Sequence, residues 1–233
     1  MHSTPPGEGI WLLAAAAPRE ASSLLAAFGI EDGAPELWTP IRLDERFELV
    51  RTGVGKANAC GAAARAIDPS RHAGVLSVGI AGALPDSEHE LLDVVCAERS
   101  VFADEGVGTP DGFIDCGQMG FGAFNDGTMA LDHDQSVVDW LMHASDRAAT
   151  IACVSWCSGD DACAQGVVSR TGASVEAMEG AAIALAAQRL GVLSGELRVI
   201  SNTTGDREKQ RWDLDGALER LRSVLGRLVG SSA

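Results

Sequence analysis

The sequence predicts a three-layer α/β/α domain built on a central mixed sheet. Apolar, strand-like runs alternate with alanine-rich helical segments along the chain. The 233 residues suffice for one large buried core. No linker or internal repeat divides them, so residues 10–233 read as a single domain. Residues 1–9, with two prolines and two glycines, read as a flexible leader.

Composition bounds the partners. The formal net charge is −15, and such an acidic surface repels nucleic-acid backbones and anionic membranes. Six cysteines (Cys60, Cys96, Cys116, Cys153, Cys157 and Cys163) form no CxxC pair and lack zinc spacing. They are expected as free thiols in a reducing cytoplasm. The apolar run at 10–17 (IWLLAAAA) follows Glu8, with no Lys or Arg before it, and is too short to span a membrane. It reads as a buried first strand.

Pro18, Arg19 and Glu20 then open a helix, since proline suits the first turn, and Leu24, Leu25 and Phe28 continue it. Glu20 thus stands at the carboxyl end of a strand, where open α/β sheets bind ligands. Residues 31–46 are mixed and irregular. Residues 47–52 (FELVRT) alternate like a half-buried strand. Gly53 to Ala57 reads as a tight glycine turn, because a phosphate loop would need its Lys-Ser/Thr ending; a helix follows at 58–67. The apolar run 75–79 suits a strand buried on both faces. It ends in Ile80-Ala-Gly-Ala83, small residues that bring main-chain N–H donors near a ligand.

Another strand is expected at 93–98. Residues 102–127, rich in Gly, Asp and Phe, read as a long loop of the kind that is functional or disordered. Its Phe113, Phe121 and Phe124 fit either a lid or plain core anchors. A helix around Trp140, a strand at 149–155 and a helix at 160–171 come next. A short strand then reaches Glu176, a helix runs from Met178 to Leu190, Gly191 turns the chain, and a strand covers 196–201. Residues 203–211 read as a polar surface loop. Leu214, Leu218, Leu221, Leu225 and Leu228 mark the apolar face of a final helix.

The chemistry concentrates at 174–183 (SVEAMEGAAI) and 198–202 (RVISN). Two carboxylates, Glu176 and Glu179, sit where an apolar helix begins, and Arg198, Ser201 and Asn202 arrive at a strand end. A carboxylate beside an amide can grip a polar ring and its hydroxyls. By residue type alone, Glu179 better suits a helix N-terminus, and Asn202 suits a loop and Arg198 a surface ion pair.

Gly79-Ile-Ala-Gly82, Val175-Glu-Ala-Met-Glu-Gly180 and Arg198-Val-Ile-Ser-Asn202 resemble motifs of the nucleoside phosphorylase and nucleosidase superfamily, over nearly the whole chain. Within it, AMEGAA at 177–182, RVISN, Asp206-Arg207 with Trp212, and the 102–115 stretch are most similar to the futalosine hydrolases of menaquinone biosynthesis. The resemblance implies a nucleoside phosphorylase/hydrolase-like fold and an N-glycosyl hydrolase releasing hypoxanthine from futalosine, a purine nucleoside. It implies that Glu20 activates water, Arg198 holds Glu20 or the water, and Asn202 stabilises the leaving base. Glu179 would bind the ribose hydroxyls, Met178 would pack on the sugar, Trp156 would stack on the purine and Cys157 would offer main-chain contacts. Ile80, Ala81 and Ser201 complete the expected substrate contacts.

Asn202 stands where adenine-releasing nucleosidases of this superfamily are expected to carry aspartate. An amide donates to a 6-oxo group and accepts from N7–H, which favours hypoxanthine. Ala-Ala-Pro-Arg-Glu20 replaces the glycine-rich, arginine-bearing phosphate loop of the phosphorylases, and only Arg19 keeps phosphate open. Ile80 occupies a position where related nucleosidases often carry serine. No metal or organic cofactor is implied. A cytoplasmic homodimer or higher homo-oligomer is. The alternatives are a nucleosidase for methylthioadenosine, S-adenosylhomocysteine or aminodeoxyfutalosine, and a non-catalytic nucleoside-binding module. For the distal carboxylate of futalosine, Arg207, Arg211 and Trp212 are candidates, against a plain surface loop.

Overall fold

The computed structural model describes residues 4–31 and 33–230. In chain order, strand β1 (Ile10–Ala15) leads to helix α1 (Pro18–Ala27), strands β2 (Ile41–Arg42) and β3 (Phe47–Arg51), and helix α2 (Lys56–Ala66). Strands β4 (His72–Ala83), β5 (Val94–Phe102), β6 (Gly106–Thr109), β7 (Gly112–Asp115) and β8 (Ala130–Asp132) follow. Then come α3 (Gln135–Met142), β9 (Arg147–Cys153), α4 (Asp161–Thr171), β10 (Val175–Ala177), α5 (Gly180–Leu190), β11 (Leu193–Thr203) and α6 (Leu214–Val229).

Nine strands form one mixed sheet in the order β10-β9-β5-β11-β4-β1-β3-β2, with β8 on β5. Strands β3, β1, β4 and β11 run parallel, and β5 runs antiparallel to β11. The other end of the sheet curls over, because β10 also pairs with β4 through Val175↔Ala83 and Glu176↔Gly82. That closure brings the β10–α5 junction beside the ends of β4 and β11.

Strand alternation sorts the core into layers. Trp11, Leu13 and Ala15 face α1, α3 and α6, packing with Leu24, Trp140, Leu141 and Leu221. Leu12 and Ala14 face α2 and α5, packing with Ala59, Ala62 and Ala63 and with Ala181 to Ala187. Alanine on both α2 and α5 lets these helices pack closely, and α5 is buried almost all round. In α6, Ala217, Leu218, Leu221, Val224, Leu225 and Leu228 are buried at helical spacing. Each large one contributes about 1.5–3 kcal/mol. Asp213 caps α6 by accepting from Gly216 N at 2.9 Å.

Several expectations change. Strand 47–52 is not half-buried: Phe47, Glu48, Leu49 and Val50 are all buried. Burial alone would raise the Glu48 pKa, but hydrogen bonds from His72, Arg71 and Arg42 outweigh it and hold the carboxyl below its ordinary value. The 102–127 stretch is not a single loop, because it contains the β6–β7 hairpin, turned at Pro110-Asp111 with Gly112 at φ +136°. Pro-Asp-Gly is a turn signal that four-residue, glycine-rich strands obscure. Phe124 stacks on Phe102 in the core, Phe113 lies under Arg170, and Phe121 is exposed. Of the leader, residues 1–3 lie outside the described residues. Pro5 is buried, and the Trp11 indole donates to Pro6 O at 3.0 Å. All six cysteines are free thiols. Among the described residues no helix is long and apolar enough to cross a membrane.

Candidate active site

A cavity of about 510 Å³ opens at the carboxyl ends of β1, β4 and β11. The turn after β1 contributes Ala16, Ala17, Arg19 and Glu20, and β4 contributes Ile80, Ala81 and Gly82. The β10–α5 junction contributes Glu176, Met178 and Glu179, and Cys157 and Ser158 follow β9. Ser201 and Asn202 come from β11, and Arg207, Gln210, Trp212, Leu214 and Leu218 form the remaining wall.

Glu20 is buried in the first turn of α1. Its Oε2 accepts from Ala17 N at 2.8 Å and its Oε1 from Ile80 N at 2.9 Å. Glu179 precedes α5, and its Oε1 accepts from Gly55 N at 3.0 Å. Gly55 turns at φ +91°, so the glycine turn after β3 serves to aim a backbone donor at this carboxylate. The adjacent Lys56 pairs instead with Asp104 and Glu105.

Arg198 lies beneath the cavity, 1% exposed. Nη1 is 3.5 Å from Glu179 Oε2, Nη2 donates to Ser77 Oγ at 2.8 Å, and Nε donates to Glu196 Oε1 at 2.9 Å. A Cβ at Gly79 would meet both Glu20 Oε1 and Arg198 Nη1, so glycine makes room for the two groups to approach the strand. Burial works against the arginine's charge, but Glu196, Glu179 and Glu20 together raise its pKa. Burial raises the Glu179 pKa; Arg198 opposes the rise and Glu20 adds to it. Burial also raises Glu176, whose oxygens accept from Ser158 N at 2.8 Å and Ser158 Oγ at 2.6 Å.

The register of β11 on β4 shifts between Ile200 and Asn202, leaving Ser201 as an extra residue. The bulge turns two consecutive residues, Ser201 and Asn202, to the same cavity. Asn202 Nδ2 donates to Thr203 O at 3.0 Å, and Oδ1 lies 2.9 Å from Ser201 Oγ. A carbonyl cannot face a carbonyl at hydrogen-bond distance, so Thr203 fixes which way the amide points. One Nδ2 hydrogen and one Oδ1 lone pair remain.

The family model for the phosphorylase superfamily matches residues 43–231. The chain belongs to the phosphorylase superfamily. One relative, the futalosine hydrolase of Acidothermus cellulolyticus, is 34% identical over 224 residues, covering 93% of this chain and 89% of the relative. Among solved structures, the native futalosine hydrolase of Helicobacter pylori superposes with a TM-score of 0.75 at 19% identity, over 96% of this chain and 98% of that one. The methylthioadenosine/S-adenosylhomocysteine nucleosidase of Helicobacter pylori, solved with an inhibitor, gives 0.74 at 19% identity, over 97% and 100%. These two likenesses establish the superfamily's fold and do not separate its substrates.

In this phosphorylase-superfamily chain, Glu20, Glu179, Met178, Ile80, Ala81, Ser201, Asn202 and Cys157 meet at one cavity. Arg198 is close by but underneath, bonded to side chains of the sheet rather than lining the cavity. Trp156 is not brought there. Its side chain is 70% exposed, because the chain turns outward after β9, and Cys157 and Ser158 line the wall instead. Arg207 and Trp212 do line the cavity, whereas Arg211 pairs with Glu90 at 3.3 Å outside it. Arg19 stands at the rim, bonded to Asp215 at 2.5 Å. Leu214, expected in the core face of the last helix, is partly exposed and lines the cavity.

Sequence reasoning passed over Glu196, Ser77, Ser158 and Gly55. Glu196 carried a signal: a charge two residues before Arg198 on an apolar strand shares its face. Gly55 acts through its backbone N–H, which residue type does not advertise, and Ser158 through both its N–H and its hydroxyl.

Proposed function

We propose that this protein is a futalosine hydrolase, cleaving the N-glycosidic bond of futalosine to hypoxanthine and dehypoxanthine futalosine in menaquinone biosynthesis. The observation that carries this is the oriented amide of Asn202 on the cavity wall. Its free Nδ2 hydrogen donates to the 6-oxo group of hypoxanthine, and Oδ1 accepts from N7–H of the departing base. A 6-amino group there would face another donor and leave a buried polar group unpaired.

The other roles follow from position. Glu179 accepts hydrogen bonds from the ribose hydroxyls, with Met178 packed on the sugar. Glu20, held by two backbone donors, orients a water and takes its proton. The water oxygen bonds to the anomeric carbon as the C–N bond breaks, and the bonding pair leaves with the base, which takes a proton from solvent at N7 while Glu20 later returns the water's proton to solvent. Arg198 stabilises the two carboxylates from below. Ile80 and Ala81 line the sugar side, and Ser201 steadies the amide. The Glu20 carboxylate in the cavity favours water over phosphate as nucleophile. The setting is a single domain over residues 10–233, in a cytoplasmic homodimer or higher homo-oligomer.

Incubation with futalosine, and separately with methylthioadenosine, in phosphate-free buffer tests this. Free hypoxanthine from the first is the expected result. Adenine from the second alone would overturn the assignment, and a strict phosphate requirement would make the protein a phosphorylase.

A further inference from the structure

Glu196 and Arg198 lie two residues apart on β11 and project to one face. Both are 1% exposed. Glu196 Oε1 accepts from Arg198 Nε at 2.9 Å, and Oε2 accepts from Ser100 Oγ at 2.5 Å. His133 Nε2–H donates to Ser100 Oγ at 2.9 Å, and its Nδ1 accepts from Ser194 Oγ at 3.2 Å. This chain joins β5, β11 and the residue after β8. None of Glu196, Ser100 or His133 lines the cavity. Gly180, the first residue of α5, makes the room, since a Cβ there would run into the Glu196 carboxylate. A buried carboxylate is costly unless it is paired and hydrogen-bonded, and both oxygens of this one are committed.

We propose that Glu196 is a positioning residue for glycosidic cleavage, holding Arg198 Nε from beneath so that Nη1 faces Glu179 in one geometry. This rests on the cavity being a nucleosidase site, but not on which base leaves. Ser100, backed by His133, pins the far oxygen of Glu196, so the guanidinium plane has a single orientation.

The titratable groups facing this cluster are Glu179, Glu20, Arg198, His133, Asp132, Cys153 and Lys56. Burial lowers the His133 pKa and raises that of Cys153, which keeps both uncharged at neutral pH. Lys56 is taken by Asp104 and Glu105. The charge of Arg198 is therefore shared among three carboxylates, and that of Glu196 opposes ionisation of Glu179.

Two substitutions separate reach from charge. Glu196→Asp keeps the charge but withdraws it by one methylene. Glu196→Gln keeps the reach and an acceptor oxygen but loses the charge. The Asp variant is expected to lose kcat on the order of a hundredfold, as an ångström of misplacement does, and the Gln variant less. The Gln variant should also move the acid limb of kcat/KM to lower pH, because Glu179 then ionises more easily. Gly180→Ala, which displaces the carboxylate without altering it, should lower kcat in the same direction as the Asp variant. Thermal melting and hypoxanthine binding report folding independently of turnover. Wild-type kcat and an unmoved pH profile in both Glu196 variants would overturn the proposal. So would losses that only track the unfolded fraction. All variants are assayed on futalosine and on methylthioadenosine. If wild-type protein cleaves only the second, the futalosine assignment falls while the Glu196 test stands on that substrate. If it cleaves neither, both fall.

Discussion

Ile80 donates its main-chain N–H to Glu20 Oε1 at 2.9 Å. With Ala17 N on Oε2, two backbone donors fix the carboxylate, and no neighbouring side chain is needed for it. The main chain of residue 80 holds this carboxylate whatever its side chain, while the isoleucine offers no hydroxyl to a water. Glu20→Gln must turn its NH2 toward one of these donors and cannot take a proton. It is expected to lower kcat by about 10²–10⁴-fold, the usual worth of a general base, with a much smaller change in KM. Ile80→Ala, which keeps the N–H, should lower kcat far less. Steady-state kinetics on futalosine measures both, and a Glu20→Gln enzyme with normal kcat would sink the assignment of the base.

The amide of Asn202 is aimed by Thr203 O and Ser201 Oγ. Asn202→Asp replaces its donor with an oxygen, which repels a 6-oxo group when ionised and can serve a 6-amino purine. One mismatched buried hydrogen bond costs about 1–3 kcal/mol, or on the order of tenfold to a hundredfold. The ratio of kcat/KM for futalosine over aminodeoxyfutalosine should fall by that factor. An unchanged ratio would show that the base is read elsewhere.

In its proposed role Glu179 must be ionised to accept from both ribose hydroxyls. Burial, reinforced by Glu20 and opposed by Arg198, raises its pKa above the ordinary carboxylate value. The KM for futalosine should therefore rise as pH falls through that raised value. Glu179→Gln, with one acceptor oxygen, should bind the nucleoside weakly and show a KM that no longer follows this titration. A Gln variant with the wild-type pH dependence of KM would assign the titration to another group.

Glu176 has a raised pKa for a simpler reason: it is buried with Ser158 as its hydrogen-bond partner and, among the described residues, makes no ion pair. A carboxyl whose folded pKa exceeds its unfolded one favours the folded state most below the unfolded pKa. That advantage is lost as pH rises through the folded pKa. Glu176→Gln removes the titration and keeps polar contact with Ser158. Its melting temperature relative to wild type should therefore climb between acid and neutral pH. Differential scanning calorimetry across that range checks it, and parallel curves would mean that the carboxyl is not desolvated as the structure places it.

The layers were legible because period-2 and helical patterns write burial directly, as in Leu12 against Leu13 on β1 and Leu218 with Leu221 on α6. Glu20, Glu179 and Asn202 were placed at element ends by pattern, but only the motif resemblance singled them out, because residue type alone suits Glu179 to a helix N-terminus and Asn202 to a loop. Trp156 was misplaced because its side chain goes where the turn after β9 sends it, and hydrophobicity does not encode that direction. The Ser201 bulge was invisible for a related reason: strict alternation would have sent Ser201 and Asn202 to opposite faces. Besides the nearby Arg42 and Arg198, the burial of Glu48 and Glu196 draws on partners 23 or more residues away, Arg71 and His72 for one and Ser100 for the other. No local window contains those distant pairs.

Arg207 and Arg211 were equal candidates for the distal carboxylate of futalosine, and the structure separates them. Arg207 lines the cavity with its guanidinium carbon 5.9 Å from the centre of the Trp212 ring, and among the described residues it makes no ion pair. Arg211 lies outside the cavity, paired with Glu90. A carboxylate at the cavity mouth would therefore find a charge-assisted partner in Arg207 and not in Arg211. Such a bond contributes about 1.5–3 kcal/mol when shielded, and less at a wet rim. Arg207→Ala should raise the KM for futalosine by about tenfold and leave inosine, which has no distal carboxylate, unaffected. Arg211→Ala should change neither. Added salt should weaken futalosine binding to wild type more than to Arg207→Ala, because the lost interaction is screened. Equal effects of Arg207→Ala on futalosine and inosine would instead assign this residue to the shape of the loop that carries Trp212.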